Sequence, residues 1–339
     1  MTGVPRPPFE HLSRLSDDTG LFEHARGSLP RRECGYCVDD VARGLVVLAR
    51  QPRPDAELVR LAERYLTFLA KAQAPDGAFH NRLDRHGRWE DQPGIGDWWG
   101  RALWGLGTFA ARGQPEGLRQ DALARFELAA VHRPPWPRSL AFAALGAAEV
   151  LSARPDHPAA LDLVAAAAKV IGPAGPRNGD WPWPEPRLHY ANAVLPEVLL
   201  IAGQRLGQPG TTADGLALLG WLLAVETRRG RLSVTPAGGW QPPEPRPGFD
   251  QQPIEVAALA DACARAYELT GDRWWLSGVR MCVAWFRGDN DSATPLHDTA
   301  TGGSGDGLTP HGVSDNQGAE STLALISTFQ QGQRMPRTQ

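Results

Sequence analysis

The stretch GIGDWWGRALWGLG (94–107) passes from a glycine-rich loop directly into a nearly uncharged helix, and similar junctions occur four more times. They are CGYCVDDVARGLVVLA (34–49), WPWPEPRLHYANAVLPEVLLIAG (181–203), GFDQQPIEVAALADACARA (248–266) and GVSDNQGAESTLALIS (312–327). Each junction places polar and aromatic side chains at the start of a helix with few charges. Such a helix suits a buried, inner position.

Ordinary amphipathic helices alternate with these inner ones. In DAELVRLAERYLTFLAK (55–71) apolar residues recur with the 3.6-residue period and the opposite face is charged. Twelve helices are predicted, near 8–16, 37–50, 55–73, 97–112, 115–130, 137–153, 157–171, 189–206, 211–227, 253–270, 272–287 and 315–330. Short links join them at one end and long loops at the other, at 73–96, 172–188, 228–252 and 288–314. The sequence predicts an all-α (α/α)6 barrel, a toroid of six helical hairpins forming a single domain over 1–339, with the five polar junctions on one rim.

The composition bears on the class of partner. A hydrophobic fraction of 42% in 339 residues is enough for a large core, and a net charge of −3 gives no support for a nucleic-acid partner. No run of 18 apolar residues occurs and the N-terminus lacks an apolar signal core, so we expect no membrane partner and a cytoplasmic protein. The C-x-x-C pair Cys34 and Cys37 has no second pair, so neither a metal nor a cofactor is predicted.

Tryptophan is in excess, with twelve residues, many of them in the predicted loops. An indole in a polar, acid-rich loop suits stacking on the apolar face of a sugar, and the alternative is that the loops pack on one another. On the first interpretation, the sugar-stacking residues are Trp98, Trp99, Trp183 and Trp240.

The first two junctions carry carboxylates and arginines at helix starts. Asp39 and Asp40 are adjacent, and Arg43 shares a helix face with Asp39. Asp97 fits a plain N-cap. Arg101 lies in an otherwise apolar helix and needs a partner, for which a rim carboxylate is the obvious candidate.

The last two junctions are rich in amides and acids. Glu255 alone fits a capping arrangement, whereas the acid and two amides at 250–252 provide the directional donors and acceptors that polyol recognition requires. Asp315 is a candidate N-cap for the last helix, and Glu320 is expected to point into the barrel only if that helix begins early.

These stretches resemble a bacterial family of (α/α)6-barrel proteins that occur alone or fused behind glycosyltransferase domains. The matching phrases are HLSRLSDDTGLFEHA, GYCVDDVARGL, DGAFHN with GRWED, GDWWGRALWGLG, FDQQPIEVAALADA and DGLTPHGVSDNQGAESTLAL. The resemblance implies a glycoside-processing barrel. More distantly, the architecture is similar to glucoamylase-like and unsaturated-uronyl hydrolases and to N-acylglucosamine 2-epimerases.

The chain departs from that family pattern at two positions. Val41 stands where an Asn follows the Asp pair, and Ala191 stands where an Asp precedes the Asn of the third junction. If that Asp is a catalytic group in the family, the resemblance implies altered or lost activity here.

Carboxylates, amides and tryptophans on one rim predict a carbohydrate-active enzyme, foremost a glycoside hydrolase acting on a short oligosaccharide. The proton donor is expected among Glu255, Asp97 and Glu320, and the water-activating base among Asp40 and Asp250. The predicted substrate-binding residues are Tyr36, Asp39, Trp98, Trp99, Arg101, Trp183, His189, Tyr190, Asn192, Trp240, Gln251, Gln252, His311, Asn316 and Gln317.

Other functions stay open at the level of sequence. A sugar epimerase or isomerase would use histidines as base and acid, and His189 and His311 are the rim candidates. A non-catalytic sugar-binding module assisting a glycosyltransferase partner would fit the two departures. A prenyl-cyclase relative ranks last because the aspartates form no D-D-x-x-D motif.

Overall fold

The structure is a computed structural model that describes residues 3–173, 175 and 181–336. Within these residues twelve α-helices make up most of the chain. They are α1 Glu10–Arg14, α2 Val38–Arg50, α3 Ala56–Ala72, α4 Asp97–Arg112, α5 Arg119–Ala129, α6 Pro137–Ala153, α7 Pro158–Ile171, α8 Val194–Arg205, α9 Pro209–Val225, α10 Pro253–Thr270, α11 Trp274–Phe286 and α12 Ala319–Arg334.

The even-numbered helices close a ring. Each of α2, α4, α6, α8 and α10 packs on the next, and α12 returns to α2. The odd-numbered helices lie outside this ring, so the predicted (α/α)6 barrel is confirmed. Helix α6 is buried continuously from Arg138 to Leu151, whereas α3 buries only an apolar stripe, as the charge patterns of the two segments predict. None of the described helices is both long and apolar enough to cross a membrane.

Glycines let neighbouring inner helices approach closely. A Cβ atom added to Gly107 of α4 would lie 2.3 Å from the carbonyl oxygen of Gly146 on α6. A Cβ atom added to Gly146 would lie 2.1 Å from the carbonyl oxygen of Leu103. The α4–α6 interface is therefore a backbone-to-backbone contact that larger residues would push apart.

The connections between helices differ strongly at the two ends of the barrel. Inner helices run into the next outer helix through short links, and five of the six connections that lead into an inner helix are longer than twenty residues. In the described residues the long connections carry eight short strands, which form four antiparallel pairs. Three pairs are hairpins: β1 Ala25–Arg26 with β2 Leu29–Pro30, β5 Thr227–Arg228 with β6 Arg231–Leu232, and β7 Leu308–Thr309 with β8 Gly312–Val313. The fourth pair, β3 Tyr36–Cys37 with β4 Arg82–Leu83, joins two different connections.

Buried ion pairs lie at the end of the barrel opposite the long loops. Arg50 donates to Asp261 at 3.1 Å, and Arg265 donates to Glu197 at 2.8 Å. These residues line a polar pocket of about 290 Å³ at the base of the ring, so ion pairs hold this end together without sealing it.

Two predicted helix starts are wrong. The last helix begins at Ala319 rather than at 315, because the Asp306 carboxylate accepts the Gly318 N–H at 2.6 Å and fixes the start there. Asp315 is exposed in the preceding loop and is not the N-cap. The eighth helix begins at Val194 rather than at 189, since Ala191 adopts a left-handed φ of 46°, which an α-helix excludes.

Candidate active site

A polar cleft of about 410 Å³ opens on the rim where the inner helices begin. Its lining comes from the starts of α2, α4, α10 and α12 and from the loops that precede them and α8. The lining residues are Glu23, His24, Cys37, Asp39, Asp40, Arg43, Asn81, Arg82, Arg101, Tyr190, Gln252, Ile254, Asp306, Gly318, Glu320 and Ser321.

The strand pair β3–β4 positions the start of α2 in this cleft. Cys37 faces Arg82 across the ladder, and the Val38 N–H donates to the Asn81 carbonyl at 2.8 Å. The Cys37 thiol lies 3.3 Å from the Asn81 side-chain oxygen. Burial raises the pKa of the Cys37 thiol, and the nearby Asp39 carboxylate raises it further.

Arg101 bridges α4 to α2. Its Nη1 donates to Asp39 at 2.6 Å, so the rim carboxylate that the sequence predicted for Arg101 is Asp39. Burial alone would raise the pKa of Asp39, but Arg101 and Arg43 outweigh burial and lower it. The Arg101 guanidinium also lies 4.3 Å from the Phe142 ring centre and 5.6 Å from that of Tyr190. Asp39 is thus a charged anchor for Arg101.

Asp40 and Glu320 meet at one arginine nitrogen. Arg43 Nη1 donates to Glu320 Oε2 at 2.7 Å and lies 3.3 Å from Asp40 Oδ1. Asp40 is 3% exposed, and its Oδ1 accepts no hydrogen bond among the described residues. Burial raises the pKa of Asp40 to about 7 against the opposing effect of Arg43. The sequence paired Arg43 with Asp39, and the structure pairs it with Asp40 instead.

Two acids missed by the sequence analysis complete the cleft. The Glu23 carboxylate is paired with the Arg82 guanidinium, at 2.8 Å between Oε1 and Nη2. The Asp306 carboxylate accepts the Ser321 hydroxyl at 2.6 Å, and burial raises the pKa of Asp306. Glu23 and His24 lie in the family-like phrase HLSRLSDDTGLFEHA, Asn81 in DGAFHN and Asp306 in DGLTPHGV, so those phrases were the available signal.

One group in the cleft has the composition of a metal site. Ligand atoms of Glu23, Cys37 and Asp40 lie within 4.8 Å of one another. Arg82 bonds the Glu23 carboxylate and Arg43 lies beside Asp40, so arginines already neutralise both acids. A cation would have to compete with these guanidinium groups, and we assign no metal to the cleft.

Glu255 and Asn192 organise the third junction from below the cleft. Glu255 accepts the backbone N–H groups of Ala191 and Asn192 and the Asn192 side-chain amide. Arg138 of α6 donates to the Tyr190 carbonyl at 2.6 Å. Burial and the Glu226 carboxylate raise the pKa of Glu255, whereas the two backbone N–H groups that it accepts oppose this shift. These contacts hold the non-helical turn before α8 and present Tyr190 to the cleft.

The remaining residues of the fourth and fifth junctions have other partners. Gln251 is fully buried and binds the Asp291 carboxylate at 2.7 Å and the Trp285 indole N–H at 3.0 Å. Gln317 is buried and bonds Asp298 at 2.9 Å. Four further candidates are exposed and lie outside the cleft: Asp250, His189, His311 and Asn316. Gln252 alone of the fourth junction's three polar residues at 250–252 lines the cleft.

Apart from Tyr190, the aromatic candidates lie outside the cleft lining, and so does Asp97. Tyr36 is buried and donates its hydroxyl to Asp17 at 2.8 Å. Trp99 and Trp183 are fully buried, and Trp183 stacks on Trp221. Three half-buried candidates also have other partners. Trp98 donates to the Phe79 carbonyl at 2.7 Å and Trp240 donates to the Glu244 carbonyl at 2.8 Å, while Asp97 accepts from the Ser139 hydroxyl at 2.8 Å.

Of the twenty residues predicted for the site, six line the cleft. They are Asp39, Asp40, Arg101, Tyr190, Gln252 and Glu320. They come from all five junctions, so the rim does gather one or two side chains from each of them.

Solved structures share this barrel. No family model matches the sequence, and no curated protein matches it. A sugar epimerase from a ruminal bacterium superposes with a TM-score of 0.74 at 11% identity over 98% of each chain. A D-mannose isomerase gives 0.72 at 12% identity over 96% of this chain and 94% of its own. A metagenome-derived family 9 endoglucanase gives 0.62 at 13% identity over 92% of this chain and 70% of its own. At these identities the likeness establishes the (α/α)6-barrel fold.

Proposed function

We propose that the protein is a carbohydrate-active enzyme that hydrolyses a glycosidic bond of an uncharged oligosaccharide in the rim cleft. Asp40 is the proton donor and Glu320 is the carboxylate that attacks the anomeric carbon. The observation that carries the proposal is the shared contact with Arg43. Since its Nη1 lies 3.3 Å from one acid and 2.7 Å from the other, the two oxygens are at most about 6 Å apart. That separation fits the roughly 5 to 5.5 Å of a retaining glycosidase and is shorter than the roughly 6.5 Å that an inverting enzyme needs to place a water molecule between its acids.

The environment of Asp40 supports the role of proton donor in the first step, in addition to the water-activating base predicted from sequence. Burial raises the pKa of Asp40 to about 7, so a substantial fraction carries a proton near neutral pH. The Glu320 side chain is 40% exposed and bonded to Arg43, which leaves its carboxylate reachable from the cleft. Two acids in contrasting environments are the usual basis for separate roles as acid and nucleophile.

The charges of the cleft favour a neutral sugar as the substrate. They also favour water over inorganic phosphate as the molecule to which the sugar is transferred. Five carboxylates and three guanidinium groups line it, and each of those guanidiniums is already in an ion pair with a carboxylate of the cleft. An anionic sugar or inorganic phosphate would meet this excess of negative charge without a free arginine to receive it. Hydroxyl groups can instead bond to carboxylates, Gln252 and Asn81.

The reaction follows from these positions. The Asp40 carboxyl group gives its proton to the glycosidic oxygen as the bond from that oxygen to the anomeric carbon breaks. A Glu320 carboxylate oxygen forms a bond to the anomeric carbon in the same step, and the first sugar product leaves with the proton. The Asp40 carboxylate then takes a proton from a water molecule, whose oxygen bonds the anomeric carbon as its bond to Glu320 breaks. The products are two shorter sugars, and Asp40 and Glu320 return to their starting protonation states.

The test is hydrolysis of a panel of neutral oligosaccharides, with and without inorganic phosphate. On the substrate that is cleaved, Asp40→Asn and Glu320→Gln should each lower kcat at least about a hundredfold, because the first change removes the general acid and the second removes the nucleophile. Asp315→Asn, an exposed acid on the same rim, should leave kcat unchanged. The unfolding midpoint serves as a folding check. Full activity in both cleft variants would sink the assignment.

Isomerisation or epimerisation of a reducing sugar is the second candidate. The barrel likeness to a sugar epimerase and an isomerase, together with His24 in the cleft, favours it. The predicted pair His189 and His311 lies outside the cleft lining, so His24 would have to act with a carboxylate. Exchange of deuterium at C2 without bond cleavage would select this reaction. Binding without either reaction would select a non-catalytic module serving a glycosyltransferase.

A further inference from the structure

Trp136 stands apart from the other tryptophans. The other eleven each stack on a ring, donate a hydrogen bond or lie buried, whereas Trp136 is 53% exposed and makes neither a ring contact nor a side-chain hydrogen bond with another described residue. Its indole therefore has no partner among the described residues. The second most exposed tryptophan, Trp274, packs edge-on against Trp275 at 4.5 Å.

The shortest of the connections that lead into inner helices ends at Trp136. This residue directly precedes α6, and the connection 130–136 has seven residues, whereas the other five connections into inner helices exceed twenty. None of the described residues that line the cleft comes from this connection. A chain that is too long for the cleft can therefore leave it over the start of α6.

Polar groups join Trp136 to the cleft. Ser139, one turn further along α6, donates to Asp97 Oδ1 at 2.8 Å, and Asp97 Oδ2 accepts no hydrogen bond from a described residue. Arg138 bonds the backbone of Tyr190, which lines the cleft. The exposed Trp136 indole therefore lies about one helical turn from a carboxylate oxygen that is free to accept a hydrogen bond. Such a pair can hold a pyranose, whose apolar face stacks on the indole while one of its hydroxyl groups donates to the acid.

We propose that Trp136 and Asp97 form an outer sugar-binding subsite, which takes a neutral sugar unit of an oligosaccharide that extends from the cleft over α6. The inference rests on the proposed function for the cleft itself. It assigns Asp97 a role in binding hydroxyl groups and makes affinity depend on chain length.

The experiment measures binding, so that it does not depend on turnover. The Asp40→Asn protein is titrated calorimetrically with cellobiose through cellohexaose and with the matching β-1,4-mannose series. We expect affinity to rise with chain length, and Trp136→Ala to lower the affinity for the longest binding members about tenfold, on the scale of a lost aromatic stacking contact. The disaccharides should bind as before, and Trp136→Phe should restore most of the loss. Trp274→Ala, at the opposite end of the barrel, is the matched control.

The outcomes separate the two proposals. If long oligosaccharides bind equally well with and without Trp136, the outer subsite is wrong and the cleft proposal survives. If no member of either series binds, both proposals are contradicted. If Trp136→Ala changes self-association but not sugar binding, the exposed indole belongs to a protein contact instead.

Discussion

Arg43 on α2 donates a 2.7 Å hydrogen bond to Glu320 on α12, and this bond joins the first and last inner helices of the ring. The same nitrogen lies 3.3 Å from Asp40. One guanidinium therefore both ties the two ends of the barrel together at the rim and adjusts the electrostatics of the acid that we assign as the proton donor.

Removing this guanidinium should destabilise the fold. Arg43→Met leaves Asp40 and Glu320 side by side without a cation, and the Arg43 side chain is only 12% exposed. We expect the free energy of unfolding to fall by about 3 kcal/mol, as it does when one partner of a buried pair is lost. Urea unfolding measures it. Arg31→Met breaks the exposed pair with Glu33 and should leave the free energy of unfolding essentially unchanged, because solvent screens such a pair. Equal losses in the two variants would contradict the structural role of Arg43.

The pH profile of the reaction should respond to Glu23. Activity that needs protonated Asp40 falls as the pH rises through its pKa of about 7, and the Glu23 carboxylate is one of the neighbours that raise this pKa. In Glu23→Gln that negative charge is gone, the pKa of Asp40 is lower, and the alkaline limb of kcat/KM moves to lower pH. The exposed Glu33→Gln is the control, with no displacement expected. An unmoved or upward-shifted limb in Glu23→Gln argues against Asp40 as the titrating acid.

Glu255 should prove structural. The sequence predicted Glu255 as one of three candidate proton donors, and on that interpretation Glu255→Gln would lower turnover and leave the fold intact. In the structure its carboxylate accepts two backbone N–H groups and one amide, and a glutamine would turn an N–H donor toward these donors. We expect a loss of about 2 to 3 kcal/mol in the free energy of unfolding, the cost of unsatisfied buried donors. Glu57→Gln on the exposed face of α3 is the matched control. Unchanged stability with lost turnover would restore the catalytic interpretation.

The α4–α6 contact should not tolerate a methyl group. Gly146→Ala places a Cβ atom 2.1 Å from a backbone oxygen, so the two helices must separate. A loss of about 3 kcal/mol, at the upper end for overpacked cores, is expected in thermal or urea unfolding. Gly117→Ala, with open space around its Cα, should be neutral. Comparable behaviour of the two variants would show that the helices can shift apart at little cost.

Most of the fold could be predicted because its signals are local. The apolar period, the uncharged inner helices and the Pro or Gly links each act over a few residues, and eleven of the twelve predicted helices overlap the observed ones over most of their length. The starts of α8 and α12 were misplaced because distant residues fix them: Glu255 binds the turn before α8, and Asp306 binds the N–H of Gly318 before α12.

The candidate site was predicted only in part. Adjacent side chains point about 100° apart in a helix and to opposite faces in an extended segment, so a polar cluster read from sequence cannot say which member faces the axis. At 250–252 the cleft receives Gln252, while Gln251 is buried against Asp291. The tryptophans show the same limit, since Trp183 packs on Trp221 inside the loops instead of facing the cleft.

The sequence by itself determined the ring of helical hairpins and the rim on which polar groups gather, because helix period and loop length are properties of neighbouring residues. Only the tertiary structure decided which of those groups meet. Arg43 with Glu320 and Arg101 with Asp39 are pairs from separate helices. The raised pKa of Asp40 comes from burial and from charges contributed by three parts of the chain. Such juxtaposition depends on how the ring closes, which no local stretch of sequence encodes.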